Sequence, residues 1–111
     1  MTTEKFNEVV DLFIWRVQSM LKKKASEYNL EDDRLGVFKR AATLQHETPA
    51  QALIGMKTKH TISIADWVNS EIKPTESLLL EKLTDEINYD ILLYAIYKEA
   101  GFAEEAKKND Q

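Results

Sequence analysis

Two carboxylates and a carboxamide share one face of the last predicted helix of this 111-residue chain. At about 100° per residue, Glu81, Asp85 and Asn88 fall within about 60° of one another around the helix axis. Apolar residues continue the same line on either side, at Leu78, Leu92 and Ile96. The spacing predicts that both acids point inward, and that the opposite side, near Lys82, Glu86 and Asp90, faces solvent.

Acids four residues apart repel each other on a helix, and the repulsion grows when water is removed. A cation must therefore compensate them. Carboxylates on facing helices are a common way for helical bundles to hold Mg²⁺. Glu27, near the end of the first helix, is a further carboxylate for such a site, so the candidate metal ligands are Glu81, Asp85 and Glu27.

Cations and aromatic groups elsewhere supply candidate contacts to a substrate. Basic residues near a bound metal would neutralise a polyphosphate, and an amide with a phenol would orient a base or sugar. These candidates are Arg34, Lys57, Lys59, His60, Asn88 and Tyr89. The alternatives are structural: the acids pair with Lys57, Lys59 or Arg34, His60 is a hydrogen-bonded core residue, and Asn88 and Tyr89 bond neighbouring helices.

The elements that position these residues are four helices. Apolar periodicity and capping signals place them near 3–28, 33–45, 49–69 and 75–100, two long and two shorter, in an all-α four-helix bundle. Thr48-Pro49-Ala50-Gln51 predicts a capping box, and Thr75 predicts the cap of the last helix. Ser63 predicts a break in the third helix. Leu44 is expected to pack inward from the second helix, and Phe6 and Val10 from the first. We expect one domain, 1–102, followed by a frayed polar tail, 103–111.

Composition limits the function classes. The chain has no cysteine, which excludes thiolate chemistry, and no signal-peptide pattern, so we expect a cytoplasmic protein. No apolar stretch approaches the length of a membrane span. The net charge of −4 makes nucleic acid an unlikely partner. If the protein does bind nucleic acid, the basic residues expected to contact it are Lys22 to Lys24, Arg34, Lys39 and Arg40.

Several degenerate stretches together resemble a known family. They are KASEYN at 24–29, Asp33-Arg34 with Phe38, KTKHTISIAD at 57–66 and EKLTDEINY at 81–89. The chain thus resembles the MazG-like all-α nucleoside triphosphate pyrophosphohydrolases of small phage-encoded type, and a related phage domain associated with nucleotide modification. The resemblance implies Mg²⁺-dependent cleavage of a nucleotide to a monophosphate and pyrophosphate, in a dimer or tetramer.

The sequence departs from that family at the metal site. The family places a Glu-Glu-x-x-Glu cluster opposite Glu-x-x-Asp, whereas this chain has lysines and a histidine in the third helix, and its Glu81–Asp85 pair is one residue wider. The first hypothesis is a Mg²⁺-dependent nucleotide pyrophosphohydrolase. The alternatives are a non-catalytic helical module that oligomerises or binds a protein, and a nucleic-acid-binding accessory protein.

Surplus apolar residues predict self-association. Ile14 and Trp15 on the first helix, and Leu93 and Tyr97 on the last, lie outside the narrow stripes that a single bundle buries. An isolated bundle would expose them as an apolar patch. We therefore expect a homodimer or larger assembly.

Overall fold

Four α-helices account for the fold. A computed structural model describes residues 1–28 and 33–105, and the side chains of 1–22 and 33–105. The helices are α1, Thr3–Tyr28; α2, Gly36–Gln45; α3, Pro49–Asn69; and α4, Glu76–Ala100. The described residues contain no strand, which confirms the all-α prediction.

Local capping fixes where the helices begin. Thr48 accepts a hydrogen bond from the backbone N–H of Gln51, whose side chain accepts one from the N–H of Thr48, so the predicted capping box is present. Thr75 caps α4 in the same way through the N–H of Leu78. The Asp33 carboxylate instead accepts from the N–H of Leu35, and this turn delays the start of α2 to Gly36, three residues later than predicted.

The predicted break in α3 is wrong. The helix runs without interruption through Ser63, whose hydroxyl donates to the carbonyl of Lys59 one turn earlier. That bond satisfies the serine inside a continuous helix, so it does not act as a cap. Ile62, next to Ser63 on the same helix, is 55% exposed.

The core lies where α2, α3 and α4 meet. Its buried cluster is Leu35, Phe38, Leu53, Leu92 and Ile96. Leu53 on α3 is completely buried, and Val17 places α1 against α4. Arg16 of α1 donates to the hydroxyl of Thr84, which itself donates to the carbonyl of Leu80. This fully buried hydroxyl therefore has both partners it needs.

Three of the predicted packing positions are wrong. Leu44 of α2 is 81% exposed, and Phe6 in the N-terminal half of α1 is 56% exposed, with Val10 also exposed. Among the described residues, no neighbouring helix covers these positions. Beyond α4, Gly101 to Glu105 are exposed and not helical; 106–111 of the predicted tail lie outside the described residues. Within the described part of the chain, no helix combines the length and apolarity needed to cross a membrane.

An ionic contact ties α2 to the end of α4. The Lys39 ammonium lies 2.8 Å from the Asp33 carboxylate and also contacts Glu99. The hydrogen bond from Lys39, followed by that from the N–H of Leu35, lowers the pKa of Asp33 below its ordinary value of 3.8. Asp33 and Glu99 in turn raise the pKa of Lys39.

We expect this contact to make stability depend on pH at the acidic end. Because the pKa of Asp33 is lower in the folded chain, its contribution is present above the unfolded pKa and is lost as pH falls through the folded pKa. Asp33→Asn should therefore be less stable than the parent at pH 7, and the difference should shrink as the pH falls below 3.8. Urea unfolding at pH 7 and at a series of lower pH values measures this. Asp66→Asn, on an exposed part of α3, is the control; an equal pH response in both variants would contradict the assignment.

Candidate functional site

A cavity of about 190 Å³ lies beside the core and brings four of the predicted site residues together. It is hereafter called the central cavity. Polar groups come from the start of α2 and from α4, and apolar side chains from α1, α2, α3 and α4 form the rest of its wall. The lining residues are Leu21, Arg34, Val37, Phe38, Met56, Asp85, Asn88, Tyr89 and Leu92. The arrangement is typical of small-molecule sites, where a few polar groups converge in an apolar wall.

Asn88 is the deepest polar group of the cavity. Only 3% of the residue is exposed, and neither its Oδ1 nor its Nδ2 has a hydrogen-bond partner among the described residues. A buried amide without partners loses the free energy of its bonds to water and recovers nothing. Such groups are rare in folded proteins, and an ordered water, a bound molecule or a functional constraint accounts for them.

Asp85 also points inward, as predicted, and its side chain is 12% exposed. One carboxylate oxygen lies 3.9 Å from Nδ1 of His60, which is too far for a hydrogen bond. His60 is half-buried, with its ring centroid 5.3 Å from that of Tyr89. The two rings contact each other, and Tyr89, unlike His60, is among the residues that line the central cavity.

Glu81 does not join the site. The prediction that it points inward is wrong, since the residue is exposed, and so is Leu78, one turn earlier. Both lie in the first turns of α4, where the neighbouring helices leave this face uncovered. Of the apolar residues predicted to flank the two acids on this face, Leu92 and Ile96 are therefore buried, whereas Leu78 is not. Glu27, the third candidate metal ligand, lies outside the residues whose side chains are described.

The lysine candidates lie away from the central cavity. Lys57 forms an ion pair with Asp90, with 2.9 Å between Nζ and Oδ1, and the Asp90 carboxylate raises the pKa of Lys57. Lys59 is exposed. The hydroxyl of Thr61 donates to Glu86. On the side of α4 predicted to face solvent, Asp90 is exposed and Glu86 is half-buried, and polar side chains of α3 contact both acids.

The donor set does not suit a hard metal ion by itself. Among the described residues, no group of three or more histidine, aspartate or glutamate side chains is arranged to hold a metal. Among the side chains that the structure describes, Asp85 is the one carboxylate that lines the central cavity, and it shares the cavity with the Arg34 guanidinium. Mg²⁺ takes oxygen ligands and is usually bound through one or two carboxylates together with substrate phosphates. Glu27, or an acid from a second copy of the chain, would have to complete such a site.

Arg34 also connects the central cavity to an adjoining surface groove. That groove, about 570 Å³, includes Arg34 and Lys98 together with Asp33 and Glu99. Because Lys39 contacts both of these acids, the groove is not dominated by negative charge. Chemically, the central cavity can accept a planar group along its apolar wall, and Arg34 can bind an anion at its edge.

Sequence reasoning missed the apolar wall. Phe38 and Met56 line the central cavity, although neither was among the candidate site residues. Helix periodicity marks them as inward-facing but does not indicate that the helices leave a space between them. In the comparisons with protein-family models, with curated proteins and with solved structures, no match to this chain was found.

Proposed function

We propose that this protein binds a nucleotide, with the base or sugar in the central cavity and the phosphates toward the adjoining groove. The observation that supports this proposal is the convergence of Arg34, Asp85, Asn88 and Tyr89 on one apolar-walled space. An unpartnered buried amide gives a polar group of a ligand something to bond. The aromatic and aliphatic wall gives a flat ring surface to pack against.

The arrangement of charges supports a ligand that is apolar and flat at one end and anionic at the other. Arg34 lies where the central cavity meets the groove, and Lys98 lies farther along that groove. A guanidinium binds phosphate through paired, charge-assisted hydrogen bonds. A nucleotide is the common metabolite that combines these two ends. Its abundance inside cells also fits the expectation of a cytoplasmic protein.

Pyrophosphohydrolysis is the activity that the resemblance to MazG-like enzymes implies. When bound, Mg²⁺ would neutralise the polyphosphate and activate water. The described residues supply Asp85 alone toward such a site. We propose nucleotide binding as the function of the described residues, and hydrolysis as dependent on carboxylates beyond them.

We also propose that the chain assembles as a homodimer or larger, because one copy leaves too much apolar surface uncovered. The accessible surface is 8881 Å², whereas a compact monomer of 12.8 kDa would expose about 6,300 Å². The radius of gyration is 17.4 Å, against about 13 Å for a compact domain of this length. Large apolar side chains remain exposed along α1 and α4, among them Phe6, Ile14, Trp15, Ile87, Ile91, Tyr94 and Tyr97.

Direct titration tests nucleotide binding. We expect a nucleoside triphosphate to bind the full chain without Mg²⁺, measured by calorimetry, and to raise its thermal midpoint. At one hundred times the dissociation constant, the ligand adds about 2.7 kcal/mol of stability. Arg34→Met should weaken binding about tenfold or more, because it removes a charge-assisted contact. Arg40→Met, an exposed arginine of α2 that does not line the central cavity, should bind normally.

Release of pyrophosphate in the presence of Mg²⁺ is measured on the same samples. Turnover by the parent and none by Asp85→Asn would support hydrolysis at this site. Binding without turnover would leave the non-catalytic alternative as the function. Equal binding by Arg34→Met and Arg40→Met, or no binding by the parent at millimolar nucleotide, would contradict the proposal.

A further inference from the structure

We infer that Asn88 and Asp85 together recognise the edge of a nucleobase that carries an exocyclic amine next to a ring nitrogen, as in cytosine and adenine. This inference rests on the proposed function and specifies which ligands the central cavity accepts. It predicts rejection of bases that carry a carbonyl oxygen in place of the amine, as in uracil and hypoxanthine.

The carboxamide of Asn88 is the first of the two groups that contact the base. It is buried in the wall of the central cavity, and both polar atoms lack partners among the described residues. By contrast Thr84, one turn earlier on the same helix and equally buried, has a donor and an acceptor satisfied within the protein. The packing of α4 is therefore able to satisfy a buried polar group, and at Asn88 it leaves the carboxamide available to a ligand.

The hydrogen-bonding pattern of a carboxamide limits which ligand edges can pair with it. It presents an acceptor and a donor side by side, and it pairs with a ligand edge that presents a donor and an acceptor in the same spacing. The amine and ring nitrogen of cytosine or adenine form such an edge, and asparagine is a common bidentate partner of adenine in proteins. A carboxamide alone can also rotate to fit the reversed edge of uracil, so it does not discriminate by itself.

Asp85 provides the discrimination. It precedes Asn88 by three residues on the same face of α4, and both line the central cavity. A carboxylate accepts hydrogen bonds and donates none. An exocyclic amine has two hydrogens, one for Asn88 Oδ1 and one for the carboxylate, whereas a carbonyl oxygen in that position would face negative charge. A carboxylate has about four acceptor positions, so Asp85 can make this bond in addition to its contacts within the protein.

The remaining wall suits the faces of a ring. Phe38 and Met56 supply apolar surface, and Tyr89 supplies an aromatic ring whose orientation is limited by its contact with His60. Bases stack on aromatic side chains with little regard to their identity. The wall therefore contributes affinity for any base, and the pair on α4 contributes the choice among them.

Nucleosides test the inference without phosphate or metal. We expect the full-length protein to bind cytidine more tightly than uridine and adenosine more tightly than inosine, by about tenfold in NMR titrations. Members of each pair differ in the amine-for-carbonyl exchange. Asn88→Leu should abolish the preference. It should also raise the thermal midpoint of the ligand-free protein, because it replaces an unpartnered buried amide by an apolar side chain of similar size.

Thr84→Val is the matched control. It also removes a buried polar group from α4, but one with partners and outside the central cavity, so it should lower the thermal midpoint and keep the base preference. Equal affinity of the parent for cytidine and uridine would overturn the inference, since water would then satisfy Asn88. An unchanged preference in Asn88→Leu would overturn it too. In either case, continued nucleotide binding that depends on Arg34 would leave the proposed function intact.

Discussion

Replacing Leu53 with alanine is expected to cost about 3–5 kcal/mol of unfolding free energy, most of what a small domain possesses. Leu53 is completely buried, and it belongs to the cluster in which α2, α3 and α4 meet. Its removal leaves a cavity in α3, which packs against both α2 and α4. The expected result is a large fall in the urea midpoint and loss of the near-ultraviolet circular dichroism signal at 37 °C.

The neighbouring residue provides the control. Ile54 is 45% exposed on the outer side of α3, so Ile54→Ala deletes similar apolar volume without creating an internal cavity. We expect a cost of about 1 kcal/mol or less. Comparable destabilisation by the two substitutions would show that the core lies elsewhere. The pair thus tests the packing of α3 independently of any function.

Helix boundaries were largely predictable because they depend on local signals. Thr48 and Thr75 begin their helices through bonds to residues three positions later, and such bonds need no tertiary contact. The start of α2 was misplaced by the turn at Asp33, where the side chain bonds backbone before the helix begins. That competition between turn and cap involves the same residue types, so the sequence does not decide between them.

The candidate site was predictable only in part, because helix periodicity gives an angle but no depth. Asp85 and Asn88 lie where neighbouring helices cover α4, and their inward orientation was predicted correctly. Glu81 shares their angle but lies beyond that cover and is exposed. The sequence also did not predict which side chains pair between helices. Lys57 forms its ion pair with Asp90 and not with Asp85, because the partner depends on how far one helix is shifted along the other.

The distribution of apolar residues around α4 bears on whether the chain self-associates. On α4 the core-facing side holds Leu92 and Ile96, while Ile87 and Tyr94, seven residues apart, share another side and are exposed. The Tyr94 ring packs against Phe102, with centroids 5.6 Å apart, which enlarges this second apolar area. A helix with two apolar sides is typical of one that is buried on both. One copy of the chain covers one side, so a second copy is the simplest cover for the other.

We therefore expect the protein to be a dimer or larger at tens of micromolar, and the double variant Ile87→Glu with Tyr94→Glu to be monomeric. Two charges in an apolar interface lose hydration without gaining partners, so association should weaken by several kcal/mol. Light scattering coupled to size exclusion measures the mass. A specific interface of standard size buries about 800 Å² per partner.

The control variant adds the same two negative charges at positions outside the proposed interface on α4. Leu44→Glu with Val68→Glu adds the same two charges at highly exposed positions of α2 and α3, and this variant should remain associated. A monomeric parent would contradict self-association. A parent that associates, together with a double variant of α4 that still does so, would place the interface on α1, where Phe6, Ile14 and Trp15 are exposed. Arg16 of α1 donates a hydrogen bond to Thr84 of α4, so the two helices pack together. An interface on α4 would therefore involve the helix that carries Asp85 and Asn88, and an interface on α1 would lie next to it. Association and ligand affinity should then change together, since whatever orders α4 also orders the groups that contact the ligand.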